Sequence, residues 1–142
     1  MRHELVRTLG VVLLMLVGGA LACSVTVSTA RFENAAVVTD PQAESRARSF
    51  RPSDTVYVIA DVADVDGEAA IRAIWSRLTL DEQSRVVEAA EVDRDEITSA
   101  DGRVAFEMTP PDPEQQAWPP GTYRVELYLD GDRGTTIDFP IR

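Results

Sequence analysis

A chain of 142 residues with 24 Asp and Glu against 14 basic residues is long enough for one domain with a modest core. Its formal charge of −10 argues against binding to nucleic acids or anionic lipid headgroups, because an acidic surface repels phosphates. The only histidine, His3, and the only cysteine, Cys23, lie near the N-terminus, and all the basic residues are arginine. Most of the chain therefore lacks the imidazole, thiol and amine groups that Ser-His and Cys-His nucleophiles, zinc sites and Schiff-base lysines need.

We therefore predict a protein that is not an enzyme and holds no cofactor. A pair of carboxylates remains the one catalytic arrangement that the composition allows, as in glycoside hydrolases. Such enzymes need a substrate cleft, which a domain of about 120 residues rarely builds.

The N-terminal segment has the layout of a secretory signal. Arg2 and Arg7 precede an uncharged apolar run, Val11 to Cys23 (VVLLMLVGGALAC). A helix from Leu9 to Ala22 would be about 21 Å long at about 1.5 Å per residue, shorter than the roughly 30 Å hydrocarbon core. We predict a signal helix within residues 1–22 and no permanent transmembrane anchor.

The end of this run, Ala20-Leu21-Ala22-Cys23, is compatible with two kinds of processing. Small residues at positions 20 and 22 suit an ordinary signal peptidase, which would cleave between Ala22 and Cys23. The same residues resemble the bacterial lipobox, in which a cysteine after a small residue is acylated before cleavage, although leucine is the more usual residue at the position of Ala20. We favour lipidation of Cys23, because the only thiol stands where this chemistry requires one and no second cysteine exists to pair with it.

Resemblance to bacterial lipoproteins implies three acyl chains on Cys23 and a lasting cell-membrane anchor, since a single chain holds only reversibly. In Gram-negative lipoproteins the residue after the cysteine directs sorting, and Ser24 rather than Asp implies the periplasmic face of the outer membrane. The expected organisation is a signal peptide over 1–22, a lipidated tether over 23–30 and one domain over 31–142. Its expected partners are the membrane and an envelope protein or polymer, and not nucleic acid.

In the first half of the domain, two segments have strand character. Phe32 to Thr39 precedes a polar loop that begins at the turn Asp40-Pro41. Thr55 to Val62 is rich in β-branched and aromatic residues and is the strongest strand signal of this half.

An acidic stretch follows the second of these strands. Asp61, Asp64, Asp66 and Glu68 surround Gly67, and aspartates at alternate positions before a glycine can present several oxygens to one calcium ion. The apolar residues that follow break the pattern of a calcium loop, and an Asp-Gly turn explains the same residues more simply. We favour the turn and keep a calcium- or small-ligand-binding module as the alternative function.

The middle of the chain gives two conflicting patterns. Ile71, Ile74, Trp75 and Leu78 have helical spacing, while Ile71, Ala73 and Trp75 alternate as in a strand. In the segment that follows, Thr79 and Glu82 have the spacing of a capping box, and the residues after them are good helix formers. Local propensity favours a short helix within 79–91, whereas the extended runs elsewhere favour strands. We predict strands and keep the helix as the alternative.

The second half alternates more regularly. We predict strands over 103–108, 121–129 and 135–142. Between the first two, Thr109 to Pro120 contains five prolines in 12 residues and is predicted to be a loop. The inward-facing residues are expected to be Val104, Phe106, Met108, Tyr123, Val125, Leu127, Leu129, Thr135, Ile137, Phe139 and Ile141.

The stretches FRPSDTVYV, IRAIW, AWPPGTYRVELYLDG and IDFPI together resemble the immunoglobulin-like or fibronectin-type-III-like domains of bacterial lipoproteins. The resemblance implies an all-β antiparallel sandwich of about seven strands, with Trp75 between the two sheets and no catalytic residues. Trp118, in the proline-rich loop, either caps the open end of the core or anchors a partner. Tyr128, on the polar face of its strand, is a second candidate for surface contacts.

Overall fold

The computed structural model describes residues 28–42, 46–110 and 114–142. The described chain consists of β-strands joined by turns and loops, without a helix. There are seven strands: β1 (Arg31–Val38), β2 (Tyr57–Ala63), β3 (Ala69–Leu80), β4 (Val86–Ser99), β5 (Gly102–Glu107), β6 (Gly121–Leu129) and β7 (Asp132–Ile141).

The strands form two antiparallel sheets around a common core. The three-stranded sheet has the order β1-β2-β5, and the four-stranded sheet has the order β4-β3-β6-β7. Alternate side chains of the central strands face inward and are excluded from solvent, which is the expected result of the two-residue period of a strand. The buried cluster includes Val58, Val104 and Phe106 from the smaller sheet and Trp75 and Val125 from the larger one.

The structure confirms the predicted strands in both halves of the chain. In β6 the inward-facing set Tyr123, Val125, Leu127 and Leu129 is buried as the alternation predicted. β7 begins at Asp132, earlier than predicted, because the preceding connection needs only two residues. That connection is Asp130 and Gly131, whose φ angles of 50° and 91° suit the tight turns that match the twist of a hairpin.

In β3 the strand alternation is the correct interpretation. Ala69, Ile71, Ala73 and Trp75 are all buried, and the residues between them face the other side of the sheet. Trp75 is fully buried and contacts the Phe139 ring edge-on at a centroid distance of 6.0 Å. Trp75 belongs to the buried cluster to which both sheets contribute.

The alternative of a short helix within 79–91 is wrong. Asp81 closes a turn there, because its Oδ1 accepts the backbone N–H groups of Gln83 and Arg85, each at 2.9 Å. Ser84 has a φ of 61°, which no α-helix contains. The residues with helical propensity then form the first part of β4, which pairs with β3 in a long hairpin.

Candidate functional site

The predicted lipidation site lies outside the described residues. Cys23, Ala22 and the whole predicted signal peptide precede residue 28, so the structure places neither the cleavage position nor the signal helix. The strands of the domain lie between Arg31 and Ile141. Within the described ranges there is no helix that is long and apolar enough to cross a membrane.

In the acidic stretch, Asp61 is held by two partners on neighbouring strands. Its carboxylate accepts a hydrogen bond from Asn34 Nδ2 at 2.9 Å and another from Arg103 Nε at 3.2 Å, and the latter is also an ion pair. These contacts lower the pKa of Asp61, with the hydrogen bond from Asn34 the larger cause and that from Arg103 the second. Asp61 therefore links all three strands of the smaller sheet.

The remaining acidic residues form a turn. Asp64 has a φ of 59° and forms an ion pair with Arg31. The backbone N–H of Val65 donates a hydrogen bond to Asp101 Oδ1 at 2.8 Å. Asp66 and Glu68 are exposed. These contacts agree with the turn interpretation of the stretch.

The structure does not gather these four carboxylates into one coordination site. In the described part of the chain, no group of three or more His, Cys, Asp or Glu residues is arranged to hold a metal ion. Asp61 and Asp64 instead neutralise arginines on two different strands. The geometry therefore gives the calcium-binding alternative no support.

Trp118 lies at the loop end of the core with 5% of its surface exposed. Its ring makes an edge-to-face contact with the Tyr123 ring, with 6.0 Å between the ring centres. Its backbone N–H donates a hydrogen bond to Pro52 O at 2.8 Å. Tyr123 in turn donates its hydroxyl to Pro119 O at 2.7 Å, and burial raises the pKa of this tyrosine. This placement agrees with the core-capping interpretation and leaves little of the indole available to stack on a ligand.

Tyr128 is half-buried on the outer face of the four-stranded sheet. The guanidinium of Arg72, on the neighbouring strand, lies 5.0 Å from the centre of its ring, which is a cation–π contact. One face of the ring is therefore already occupied, and Arg72 is also paired with Glu96 at 4.0 Å.

One surface hollow has two carboxylates in its wall. A cavity of about 370 Å³ lies between the start of β1 and the β6–β7 turn, and Asp130 and Asp132 contribute to its wall. Asp130 has a structural role, because it forms two hydrogen bonds with the backbone of Ala70. Its Oδ1 accepts one from the N–H of Ala70 at 2.9 Å, and its own backbone N–H donates one to Ala70 O at 2.8 Å. The cavity is also lined by Arg31 and Arg133.

The surface that sequence reasoning missed is the β3–β4 hairpin. Leu80 and Val86 pair across this hairpin and are 40% and 41% exposed, and the adjacent Val87 is 62% exposed. Together they form a small apolar patch on the surface. The available signal was the combination of apolar and acidic residues in VVEAAEV without a two-residue period. A strand that is exposed on both faces gives such a pattern, and the same pattern is typical of a helix.

Comparison with known proteins gives only distant likenesses. No protein-family model matches the sequence, and no curated protein shows significant sequence similarity to it.

Among solved structures, one match is the alkylpurine DNA glycosylase AlkC of Pseudomonas fluorescens, bound to DNA containing an abasic site analogue. Its TM-score is 0.47 and its identity 9%, over 80% of this chain and 30% of that chain. A β-glucosidase from Listeria innocua in complex with isofagomine matches with a TM-score of 0.47 and 15% identity over 80% of this chain and 16% of that chain. The GH3 β-glucosidase of Bifidobacterium adolescentis gives a TM-score of 0.45 and 13% identity over 80% of this chain and 17% of that chain. The chain thus spans less than a third of each of these proteins, and the likenesses are too weak to indicate a function.

Proposed function

We propose that this protein is a bacterial envelope lipoprotein, acylated on Cys23, whose domain over 31–142 is a non-enzymatic interaction module. The observation that carries the proposal is the sequence Ala20-Leu21-Ala22-Cys23 at the end of an apolar run preceded by two arginines. It places the only cysteine of the chain where acylation requires a thiol. Two or more acyl chains would give a lasting membrane anchor.

The domain fold that accompanies this anchor is, in our proposal, immunoglobulin-like. Strands 1, 2 and 5 share one sheet and strands 3, 6 and 7 lie in the other, as in immunoglobulin domains, and strand 4 here pairs with strand 3. A buried tryptophan on the third strand is a second shared feature, and here it is Trp75. Such folds serve many unrelated functions, so the role must come from the surface of this chain.

The surface favours an interaction module over an enzyme. Many of its carboxylates are paired with arginines across neighbouring strands, as in Arg124–Asp138 at 2.7 Å and Arg133–Glu126 at 3.0 Å. Such pairs fix the surface pattern of charge, which contributes to partner specificity. The loops and sheet edges would contact another envelope protein or a polymer of the same compartment.

Acylation is tested by expressing the full chain in bacteria with radiolabelled palmitate. We expect label on the wild-type protein and its recovery in the membrane fraction. Cys23→Ala should abolish labelling and release the protein, because no other thiol exists. Ser24→Ala is the matched control and should keep both properties. Membrane retention of an unlabelled Cys23→Ala protein would contradict the proposal.

The compartment is tested separately in a Gram-negative host. Ser24 is expected to direct the lipoprotein to the periplasmic face of the outer membrane. Ser24→Asp should then retain the acylated protein in the inner membrane, as measured by separating the two membranes on a density gradient. An equal distribution of the wild type and Ser24→Asp between the membranes would refute the sorting hypothesis without affecting acylation.

A further inference from the structure

Strand β4 is an unusually long and exposed sheet edge. It contains 14 residues and pairs with β3 on one side only. None of its residues is buried, whereas the neighbouring β3 is mostly enclosed. The outward backbone N–H and C=O groups of an edge strand can pair with another strand, and natural proteins usually block them.

One half of this edge is blocked by its own aspartates. Asp93 Oδ1 accepts the backbone N–H of Arg94, and Asp95 Oδ1 accepts that of Glu96, both at 2.8 Å. Asp93 Oδ2 also accepts the N–H of Thr109 at 2.6 Å, which fixes the segment after β5 beside this half. A new strand could not pair there without breaking these bonds.

The other half, Val86–Val92, has no such aspartate, and we call it the uncapped edge. Its register with β3 shifts at Val87 and at Val92, so residues 88–91 are its regularly paired stretch. Among the described residues, a side-chain oxygen accepts the backbone N–H of Arg85, before this stretch, and another accepts that of Arg94, after it. No backbone N–H of the described residues between these two is bonded to a side-chain acceptor. Val86 and Val87 are among the most exposed large apolar side chains of the described chain. The uncapped edge therefore has both the backbone groups and the apolar surface that strand addition uses.

The negative charge of the sheet edges is concentrated on β4. This strand has five carboxylates and one guanidinium. By comparison, β1 and β5 each have one carboxylate and one guanidinium, and β7 has two carboxylates and one guanidinium. The charged residues of β4 are Glu88, Glu91, Asp93, Arg94, Asp95 and Glu96. A second copy of this acidic chain, with its formal charge of −10, would be repelled from this edge, and a basic segment would be attracted.

We propose that the uncapped edge binds an extended, basic segment of a partner protein as a fifth strand of the four-stranded sheet. Glu88 and Glu91 are three residues apart in a regularly paired stretch and face opposite sides of the sheet, so arginines or lysines on both faces of the segment would meet them. Glu91 is paired with Arg94 at 2.8 Å in the free protein and would share this partner with the segment. Apolar residues of the segment would cover Val86 and Val87. This inference rests on the proposed role as an interaction module and specifies the chemistry of its partner. Main-chain hydrogen bonds would supply affinity, and the charges would select the partner.

The test uses the full chain in detergent micelles and a fluorescent eight-residue peptide with the repeat Arg-Arg-Val-Val, which presents arginines on both faces of an added strand. We expect saturable binding by fluorescence anisotropy and slower hydrogen exchange confined to residues 86–92. A peptide with glutamate in place of arginine should not bind. A basic peptide methylated on alternate backbone nitrogens keeps the charge but loses the main-chain donors, and it should not bind either.

On the protein side, Glu88→Arg combined with Glu91→Arg should weaken binding by about tenfold or more, because it reverses the charge at the site. Glu107→Arg combined with Asp132→Arg is the matched control, since it changes the net charge equally on the other edges, and it should bind nearly as well as the wild type.

Three results would overturn the inference: equal binding of the methylated peptide, protection outside residues 86–92, or dimerisation of the chain through this edge. Absence of peptide binding in a protein that is acylated on Cys23 would overturn the partner surface alone and leave the anchor in place.

Discussion

Phe32 of β1 packs directly over Gly134 of β7, where strands from the two different sheets meet. A Cβ atom at position 134 would lie 2.5 Å from Cδ2 and 2.8 Å from Cε2 of the phenylalanine ring. Only glycine lets the ring approach the β7 backbone this closely. This contact joins an edge strand of the smaller sheet to an edge strand of the larger one.

Gly134→Ala should therefore destabilise the protein by about 1–3 kcal/mol, the usual cost of overpacking, as measured by urea unfolding. Thr136→Ala on the same strand is exposed and should change the free energy of unfolding by less than about 0.5 kcal/mol. In the Phe32→Ala background the effect of Gly134→Ala should nearly vanish, because the clashing ring is absent. Simple additivity of the two substitutions would show that the contact does not determine the cost.

Substitution of Ser84 distinguishes the observed turn from a helix within 79–91, because glycine at this position changes the free energy of unfolding in opposite directions in the two structures. Its φ of 61° is unfavourable for residues with a Cβ atom, so Ser84→Gly should raise the free energy of unfolding by about 0.5–1 kcal/mol. In a helix within 79–91 the same substitution would lower stability, because glycine is a poor helix former. Ser84→Val should destabilise the turn. Thermal unfolding of both variants provides the measurement.

The same residues show where sequence reasoning succeeds and where it fails. β5 and β6 could be predicted because one face of each is buried, which imposes a two-residue hydrophobic period on the sequence. In β7 the same period ends in the buried residues Phe139 and Ile141, while Thr135 and Ile137 are only partly buried. β4 has no buried face, so its sequence carries no such period and keeps its helical propensity. Its strand structure comes from pairing with β3, a contact between chain segments that a local pattern does not contain.

For the candidate site, composition predicted an acidic surface but not which carboxylates are partnered. Asp61, Asp64 and Asp66 lie close together in sequence and resemble a ligand set. In the structure Asp61 and Asp64 pair with Arg103 and Arg31, which come from other strands. Such partners depend on strand order, which the sequence alone left open. The hydrogen bonds from backbone N–H groups of β4 to its own aspartates join residues that are adjacent in sequence. Their role in blocking strand addition can be recognised only when β4 is known to be an edge strand.

Asp61 should contribute to the acid sensitivity of the domain. Its pKa is lowered in the folded state by the hydrogen bond from Asn34 and then by that from Arg103, so its contribution is present above the unfolded value near 4. The contribution is lost as pH falls through the folded pKa, because protonation removes the negative charge that strengthens both hydrogen bonds. Asp61→Asn should make the decline of stability below about pH 4 shallower, by less than about 1 kcal/mol since the group is partly exposed.

The measurement for Asp61 is urea unfolding at a series of pH values from about 2 to 7. Asn34→Gly removes the stronger hydrogen bond and suits the φ of 52° at that position, so it should reproduce part of the effect. An identical pH profile in the wild type and Asp61→Asn would contradict the assignment.

Trp75 combines complete burial with an unpaired polar atom. Its side chain is fully buried, and its Nε1 has no hydrogen-bond partner among the described residues. Trp75→Ala should cost about 3–5 kcal/mol through loss of packing and creation of a cavity. Trp75→Phe should cost clearly less, because it keeps an aromatic ring against Phe139 and removes a buried donor whose burial is unfavourable by about 1–3 kcal/mol. Urea unfolding followed by far-ultraviolet circular dichroism distinguishes the two variants, with Trp118→Phe as the control at the edge of the core. Equal losses for Trp75→Phe and Trp75→Ala would contradict this account of the site.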